Sequence, residues 1–282
     1  MSLIKALRIP EVALMSGFFI IGSFFGIDEW NYNILIKLVM ICFISFFTIL
    51  SVYTYNAAAG KQADVFNKRL SALGKFSSLT YKISGIIFLL FSIALSALIH
   101  IIFPLLTLIV YLIWLVYAHP KWGLKHKAYW GTVLHFFAQI LHFNMCYFAF
   151  KDVSIYSISL SVFFAIAFSA GHLNHEIIDY EADKHAQIKT TAVKHGIHKV
   201  LFTIIVLCAV NIFYCFVLKR MGIIDNTMSW LMIIPSFLHL SLYIIYAKNI
   251  LKKSKLIRSF YRTFYLISIL LIIIDKYFNI LT

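Results

Sequence analysis

Charged residues are scarce in this sequence, and acidic residues are the scarcest. Of the 282 residues, 13% are charged, 62% are hydrophobic and only 11 are aspartate or glutamate. Soluble domains have about a quarter of their residues charged, so this composition excludes a water-soluble globule. The four cysteines lie scattered in apolar stretches without metal-site or disulfide-framework spacing, and we interpret them as small buried hydrophobic residues.

In place of charge, the sequence has long apolar runs, and a membrane helix needs about 20 apolar residues. We predict nine membrane spans, at about residues 10–27, 34–56, 83–102, 104–118, 128–150, 154–175, 199–218, 228–247 and 260–280. Phe103 and Pro104 lie at the junction of the third and fourth runs, which predicts a tight hairpin, with one kinked helix as the alternative. The predicted fold is an all-α integral membrane bundle of about nine helices, a single domain over residues 1–282.

Basic residues favour one side of this predicted bundle. The net charge of +14 could indicate nucleic-acid binding, but the Lys and Arg residues lie in short connections between apolar runs. With a cytoplasmic N-terminus, most of the 25 basic residues fall on the cytoplasmic side, Arg258 and Arg262 among them, as the positive-inside rule requires. We therefore predict a multi-pass protein surrounded by membrane lipid, in the cytoplasmic membrane if the cell is prokaryotic, with no nucleic-acid partner.

The few acidic residues gather where two apolar runs reach the predicted cytoplasmic surface. Two sets of polar residues have spacings of three or four, which place each set on one face of a helix. The sets are Asn56, Gly60 and Asp64 in one segment, and Glu176, Asp179 and Asp183 in the other. A lone loop carboxylate usually balances nearby lysines, but carboxylates that share a helix face repel one another unless a cation holds them. Because Mg²⁺ prefers hard oxygen ligands together with water and substrate phosphates, the two sets predict a Mg²⁺ site at the cytoplasmic face that binds a diphosphate.

Aromatic residues are abundant enough to line a chamber beneath such a site. The chain contains 27 Phe, 16 Tyr and 5 Trp, most of which are expected to be ordinary packing or lipid-facing residues. Aromatic faces stabilise cations, and a dry chamber shelters a carbocation from water. This layout suits the ionisation of an allylic diphosphate, with the metal ions taking the leaving group.

The second acidic set and the residues after it resemble a known family. The segment Glu176-Ile-Ile-Asp179-Tyr-Glu-Ala-Asp183, followed by Lys189-Thr-Thr-Ala-Val-Lys-His-Gly196, resembles the second aspartate-rich motif of the UbiA superfamily of intramembrane prenyltransferases. Shorter matches are Asn56-Ala-Ala-Ala-Gly60-Lys-Gln-Ala-Asp64 to the first motif, Arg8-Ile-Pro10 to the family's opening, and Tyr117-Ala-His-Pro120 with Lys125 to the loop after the fourth helix. The resemblance covers the whole chain and implies an isoprenyl diphosphate substrate, a Mg²⁺ cofactor and, for a transferase, a hydrophobic prenyl acceptor.

The resemblance also implies a role for each matching residue. The implied catalytic residues are Asn56, Asp64, Asp179 and Asp183, which also hold Mg²⁺ together with Glu176. Tyr117 and Lys125 are implied to bind the diphosphate. Lys61, Arg69, Lys121 and Lys189 are candidates from proximity alone, and a solvated role is at least as reasonable for each. Glu181 lies off the ligand face and is expected to be solvated.

The first motif departs from the family pattern. Gly60 stands where the family has its central Asp, which removes one metal ligand, and Glu176 replaces an Asp with a longer carboxylate. A first motif reduced to Asn56 and Asp64 resembles the terpene synthase branch, whose members ionise the same diphosphates and let the cation cyclise onto its own double bonds. We therefore expect a terpene cyclase. Prenyl transfer to an aromatic or isoprenoid acceptor is the alternative, and an inactive member is also open.

Other classes of membrane protein fit the sequence less well. A di-iron desaturase needs several paired histidine boxes, whereas the 11 histidines are dispersed. A transporter would place ionisable residues near the membrane centre, and only Glu11 and Asp275 approach the interior of a predicted span. The D-G-x-x-A-R signature of CDP-alcohol phosphotransferases is absent. A non-catalytic scaffold would be excluded by diphosphate release.

Overall fold

The computed structural model describes residues 7–64, 77–119 and 123–278. At residues 18, 19 and 60–64 it describes the backbone only. Within these residues the chain forms α-helices, two short 3₁₀ helices and no strand. The α-helices are α1 (Ile9–Gly26), α2 (Tyr32–Asp64), α3 (Ser78–Ala97), α4 (Phe103–Ala118), α5 (Trp130–Phe148), α6 (Ile155–His185), α7 (Thr191–His195), α8 (Ile197–Arg220), α9 (Asn226–Ile245) and α10 (Ile250–Phe278). The 3₁₀ helices are Leu124–His126 and Ala247–Asn249.

The all-helical prediction is confirmed, and each predicted span corresponds to one long helix in the described residues. Seven helical segments there are long and apolar enough to cross a membrane, and α4 is a shorter apolar helix. The helix α5 is long but belongs to neither the seven candidate spans nor the shorter apolar helix. It buries three polar side chains, those of His135, Gln139 and His142. The count of nine spans and the orientation stay predictions.

The connection between α3 and α4 follows the hairpin prediction. The two helices end and begin at Ala97 and Phe103, and they pack against each other. Pro104 lies in the first turn of α4, where its missing N–H costs no helical hydrogen bond. The alternative of one kinked helix is therefore wrong.

Side chains at the helix starts fix where several helices begin. At α6, the Ser154 hydroxyl accepts from the Ser157 backbone N–H and the Ser157 hydroxyl accepts from the Ser154 N–H, which forms a capping box. The Asp225 carboxylate accepts from the Met228 N–H at the start of α9. Such caps satisfy backbone N–H groups that have no partner inside the helix.

Small and hydroxyl residues hold α2 close to α3. The Ser51 hydroxyl donates to the Gly85 carbonyl at 2.7 Å, and the hydroxyls of Thr48 and Ser92 are 2.7 Å apart. A Cβ on Gly85 would lie 2.8 Å from Thr54 Oγ1, so only glycine permits this approach. Hydrogen-bonded small residues are the usual means of packing membrane helices closely. Here they fix α2, which carries Asn56.

At the other end of the bundle, α10 caps α1. The Lys276 ammonium donates to the carbonyls of Phe24 and Phe25 at 3.0 Å, and the Tyr277 hydroxyl lies 2.9 Å from the Phe24 and Ile27 carbonyls. These carbonyls belong to the last turn of α1 and the residue after it, where helical partners are lacking. A cation at this position also complements the helix dipole.

Candidate functional site

A cavity of about 380 Å³ lies between α1, α2, α4, α5, α6 and α10. Its lining residues on α6 run from Phe164 to Asp183, which is about 28 Å along a helix that rises 1.5 Å per residue. Acidic residues occupy the end where α6 finishes, and aromatic residues occupy the deeper part. The cavity is therefore polar at one end and apolar through most of its depth.

Two predicted site residues from distant parts of the chain meet in this cavity. Lys125, in the 3₁₀ helix that follows α4, donates from Nζ to Asn56 Oδ1 at 2.8 Å, and both residues line the cavity. Burial, and to a smaller extent the Lys125 ammonium, lowers the pKa of His126, which favours its neutral imidazole. Lys125 therefore carries the positive charge of this short helix.

Tyr117 reaches the cavity beside a histidine that the sequence did not single out for the site. The Tyr117 hydroxyl lies 3.0 Å from His172 Nε2, and Thr132 Oγ1 lies 3.1 Å from His172 Nδ1. In a neutral imidazole one nitrogen donates and the other accepts, so the two hydroxyls occupy both sites of the ring. His172 thus connects α4, α5 and α6.

Glu176 has partners that the motif did not predict. Its Oε2 accepts from the Ala192 backbone N–H at 3.0 Å, and its Oε1 accepts from the Thr191 hydroxyl at 3.2 Å. The carboxylate therefore caps α7, where a negative charge also complements the helix dipole. This contact occupies part of its capacity to bind a metal ion, and its role as a ligand stays a prediction.

The remaining candidates are divided between the cavity and its surroundings. Asp179 and Asp183 line the cavity, whereas Glu181 and Lys189 are exposed and do not, so Glu181 is solvated as expected. Gly60, Lys61 and Asp64 lie in the last turns of α2, of which the structure describes the backbone only. Arg69 and Lys121 lie wholly outside them.

The described residues by themselves form no group of three His, Cys, Asp or Glu side chains that could hold a metal ion. The donor set still fits Mg²⁺. The Asn56 amide oxygen and the carboxylates of Asp179 and Asp183 line one cavity, and all are hard oxygen donors. Because Mg²⁺ usually keeps several waters and substrate oxygens, it needs only one or two protein carboxylates.

A second group of charged residues lines the cavity, and sequence reasoning assigned its arginines to a cytoplasmic connection. Arg262 Nη2 lies 3.0 Å from His175 Nε2, and Arg258 Nη1 lies 3.4 Å from His175 Nδ1. Arg8, just before α1, and Glu11, in its first turn, also line the cavity, and the Arg8 guanidinium lies 4.6 Å from the centre of the Tyr53 ring. In the sequence, only the i, i+4 spacing of Arg258 and Arg262 indicates that the two side chains share one face of a helix.

Aromatic rings form the walls between these polar groups. Trp114 packs edge-on against Tyr117 and His135, with ring centres 5.7 Å and 5.2 Å apart. Phe164 and Tyr265 line the deeper part. Ring faces and edges packed in this way leave few polar atoms to hold water.

Comparison with known proteins agrees with this architecture. The model of the UbiA prenyltransferase family matches residues 15–269. A UbiA homolog from Archaeoglobus fulgidus bound to DMAPP and Mg²⁺ has a TM-score of 0.73 at 20% identity, over 95% of this chain and 99% of that chain. A structure of digeranylgeranylglyceryl phosphate synthase has a TM-score of 0.71 at 20% identity, over 97% and 96%.

An apo UbiA homolog from Aeropyrum pernix K1 has a TM-score of 0.68 at 13% identity, over 94% of this chain and 98% of that chain. No curated protein matches the sequence significantly. At these identities the structural likeness shows a shared fold, and the residues of this cavity must carry any argument about its chemistry.

Proposed function

Since the chain belongs to the UbiA prenyltransferase family, a family of integral membrane proteins, we propose that its cavity binds an isoprenyl diphosphate and ionises it. One observation carries the proposal: Asn56 and Lys125 lie in the same cavity as Asp179 and Asp183, at its polar end and above aromatic walls. The complexes of the A. fulgidus homolog with DMAPP, GPP and Mg²⁺ support the same substrate class.

The polar end would bind the diphosphate. The Lys125 ammonium, which donates to Asn56, would also contact diphosphate oxygens, with the Tyr117 hydroxyl beside it. The residues that would hold Mg²⁺ are Asn56, Asp64, Asp179 and Asp183, with Glu176 as a further ligand. Bound Mg²⁺ would neutralise the negative charge that develops on the leaving diphosphate.

The apolar part would bind the isoprenyl chain and protect the cation. Ionisation breaks the bond between the allylic carbon and the diphosphate oxygen, and the electron pair leaves with the diphosphate. The faces of Trp114, Phe164 and Tyr265 would stabilise the positive charge on the allylic group and exclude water from it.

We propose prenyl transfer as the fate of this cation. Three arginines line the cavity in addition to Lys125, and fixed positive charge disfavours a free carbocation unless an anion lies nearby. An anionic acceptor would supply that anion. The nucleophilic atom of the acceptor would bond to the allylic carbon, and its proton would pass to the released diphosphate.

Terpene cyclisation is the second candidate, and Gly60 favours it. The spacing from Asn56 to Asp64 lacks the middle carboxylate, as in the terpene synthase branch that the sequence resembles. A cyclase needs one substrate, so it would release diphosphate without an acceptor.

Incubation of the purified protein with C10, C15 and C20 isoprenyl diphosphates and Mg²⁺ tests both candidates. We expect diphosphate release to depend on an added solvent extract of the source cells, with a prenylated product. Release without the extract, together with a cyclic hydrocarbon or alcohol, would establish the cyclase. No release under either condition, with wild type equal to Asp183→Asn, would contradict ionisation itself.

A further inference from the structure

A second pocket, of about 350 Å³, lies next to the 3₁₀ helix that carries Lys125. Its two walls are the residues that follow this lysine and the segment around α7. The pocket, here called the outer pocket, is lined by His126, Lys127, Ala128, Trp130, Lys189 and Lys194. None of these six residues lines the cavity of the candidate site. The outer pocket is therefore a separate feature, and it contains both lysines of the motif tail that runs from residue 189 to residue 196.

The outer pocket has positive charge and no negative charge to balance it. Three of its six lining residues are lysines, and all three are exposed. In the part of the chain that the structure describes, no carboxylate lines this pocket or forms an ion pair with these lysines. Like charges gathered in one pocket repel one another, so a bound anion lowers their electrostatic energy. The pocket therefore favours an anionic ligand.

An exposed apolar face of α5 continues from the outer pocket. Trp130, the first residue of α5, lines the pocket and is 59% exposed. Val133 and Phe137 follow at i+3 and i+7, share its face of the helix and are also exposed. In a membrane protein such a face contacts acyl chains, and tryptophan is enriched where the acyl chains meet the headgroups. The lysines of the outer pocket therefore lie at headgroup level, at the end of a lipid-facing surface.

The two walls of the outer pocket are joined by direct contacts. The Tyr129 backbone N–H donates to the Thr191 hydroxyl at 3.0 Å, and the rings of Tyr129 and His195 have centres 5.2 Å apart. Tyr129 has a φ of 64°, in the left-handed region that a bulky residue rarely adopts, and such a conformation persists only where the surrounding structure holds it. The backbone of both walls is thus fixed, so the lysines converge on one place before any ligand binds.

We propose that the outer pocket binds the phosphate headgroup of an anionic phospholipid of the surrounding membrane, while the acyl chains of that lipid lie along the α5 face of Trp130, Val133 and Phe137. Lys189 and Lys194 supply the positive charge that recognises the headgroup. Basic pockets at the ends of membrane helices bind anionic headgroups on these physical grounds. The site lies outside the cavity, so it goes beyond the proposed function and does not depend on it.

Lipid binding to the purified protein tests the site without any turnover. The protein in a neutral detergent is titrated with phosphatidylglycerol or with phosphatidylcholine of the same acyl chains, and bound lipid is counted by native mass spectrometry. We expect one phosphatidylglycerol molecule to bind at least about tenfold more tightly than phosphatidylcholine. Glycerol 3-phosphate, which has the phosphate without the acyl chains, should not displace it at equal concentration.

Variants assign the binding to the outer pocket. The double variant Lys189→Gln and Lys194→Gln should bind phosphatidylglycerol about thirtyfold more weakly, or about fivefold for each lysine, whereas arginine at both positions should preserve binding. The matched control is the double variant Lys252→Gln and Lys255→Gln. It removes the same charge from two exposed lysines at the start of α10, and its affinity should stay within about twofold of wild type. Unchanged melting temperatures show that the variants are folded.

Four results would overturn the site: no preference for phosphatidylglycerol over phosphatidylcholine, equal affinity of the outer-pocket double variant and wild type, an equal loss in the control double variant, or displacement of the lipid by glycerol 3-phosphate. The last would mean that the pocket binds a soluble anion. The failure of the proposed function is a different result, in which the wild type releases no diphosphate from any isoprenyl substrate, whatever lipid it binds.

Discussion

Two histidines of α6 line the same cavity and differ in how they are held. His172 lies between the hydroxyls of Tyr117 and Thr132, with the Glu176 carboxylate 3.8 Å from its Nδ1. His175, three positions further on, lies between two guanidiniums. The same residue type is therefore held by hydroxyls and a carboxylate at one position and by two cations at the other. The comparison teaches that partners from other helices, and not the motif itself, determine what each residue of α6 can bind.

The largest effect is expected from the carboxylates of the second acidic motif. Asp183→Asn removes a charge without changing shape, and we expect turnover to fall about 1,000-fold, as for loss of a main electrostatic contact to a leaving group. Diphosphate release from an isoprenyl substrate is the measurement. Glu181→Gln, at an exposed position two residues away, should leave the rate unchanged. Near-wild-type activity of Asp183→Asn would refute the Mg²⁺–diphosphate proposal.

The next effect is expected at Lys125. Lys125→Met removes the ammonium that contacts Asn56 and leaves the apolar stem in place. We expect kcat/KM to fall about 100-fold, because a charge-assisted contact to a diphosphate is worth about 3 kcal/mol. Lys127→Met, an exposed lysine two residues on, is the control. Equal rates for the two variants would mean that the charge at Lys125 does not act on the substrate.

A smaller effect should come from the hydroxyls that contact His172. Thr132→Val removes one hydrogen bond, worth about 1 kcal/mol, and should lower kcat/KM about fivefold. Tyr117→Phe should lower it at least as much, because this hydroxyl contacts His172 and is also proposed to lie beside the diphosphate. Because both act through one ring, the double variant should lose less than the product of the two single losses. Strict additivity would show that His172 does not couple the two hydroxyls.

The smallest effect is expected from Gly60→Asp, which returns the middle carboxylate to the first motif. A transferase should gain a few-fold in acceptor-dependent turnover from an added ligand one helical turn from Asn56 and Asp64. A cyclase should lose cyclisation, because the extra ligand would shift the ions or crowd the diphosphate. Product analysis with and without acceptor distinguishes the two, and a loss of product in both conditions would count against transfer.

The sequence predicted the position of every long helix in the described residues, because each contains an apolar run, but some predicted spans end well before the helices do. The sixth predicted span ends at residue 175, whereas α6 continues to His185; the second ends at 56, whereas α2 continues to Asp64. Hydropathy reports only the apolar part of a helix. The polar turns that follow contain the two acidic motifs, so the site lies on helix ends that hydropathy alone does not detect.

Within the site, local spacing was readable and long-range pairing was not. The i, i+3, i+7 pattern correctly placed Asp179 and Asp183 on a face that lines the cavity. The contacts of His175 with Arg258 and Arg262 join residues 83 and 87 positions apart. The cap that Glu176 provides for α7 likewise requires the loop after α6 to turn back, because it joins residues 16 positions apart. Such contacts follow from how helices pack, and no local spacing encodes them.

The cap that α10 places on α1 has a consequence for biosynthesis. The Lys276 ammonium and the Phe24 carbonyl are 252 positions apart. When α1 enters the membrane during translation, its last carbonyls therefore lack this partner until α10 has been made. Because they lie beside the exposed residues Asp28 and Glu29, water at the membrane surface can bind them until then. Closure of the ring of helices around the cavity is thus expected to be a late event in assembly.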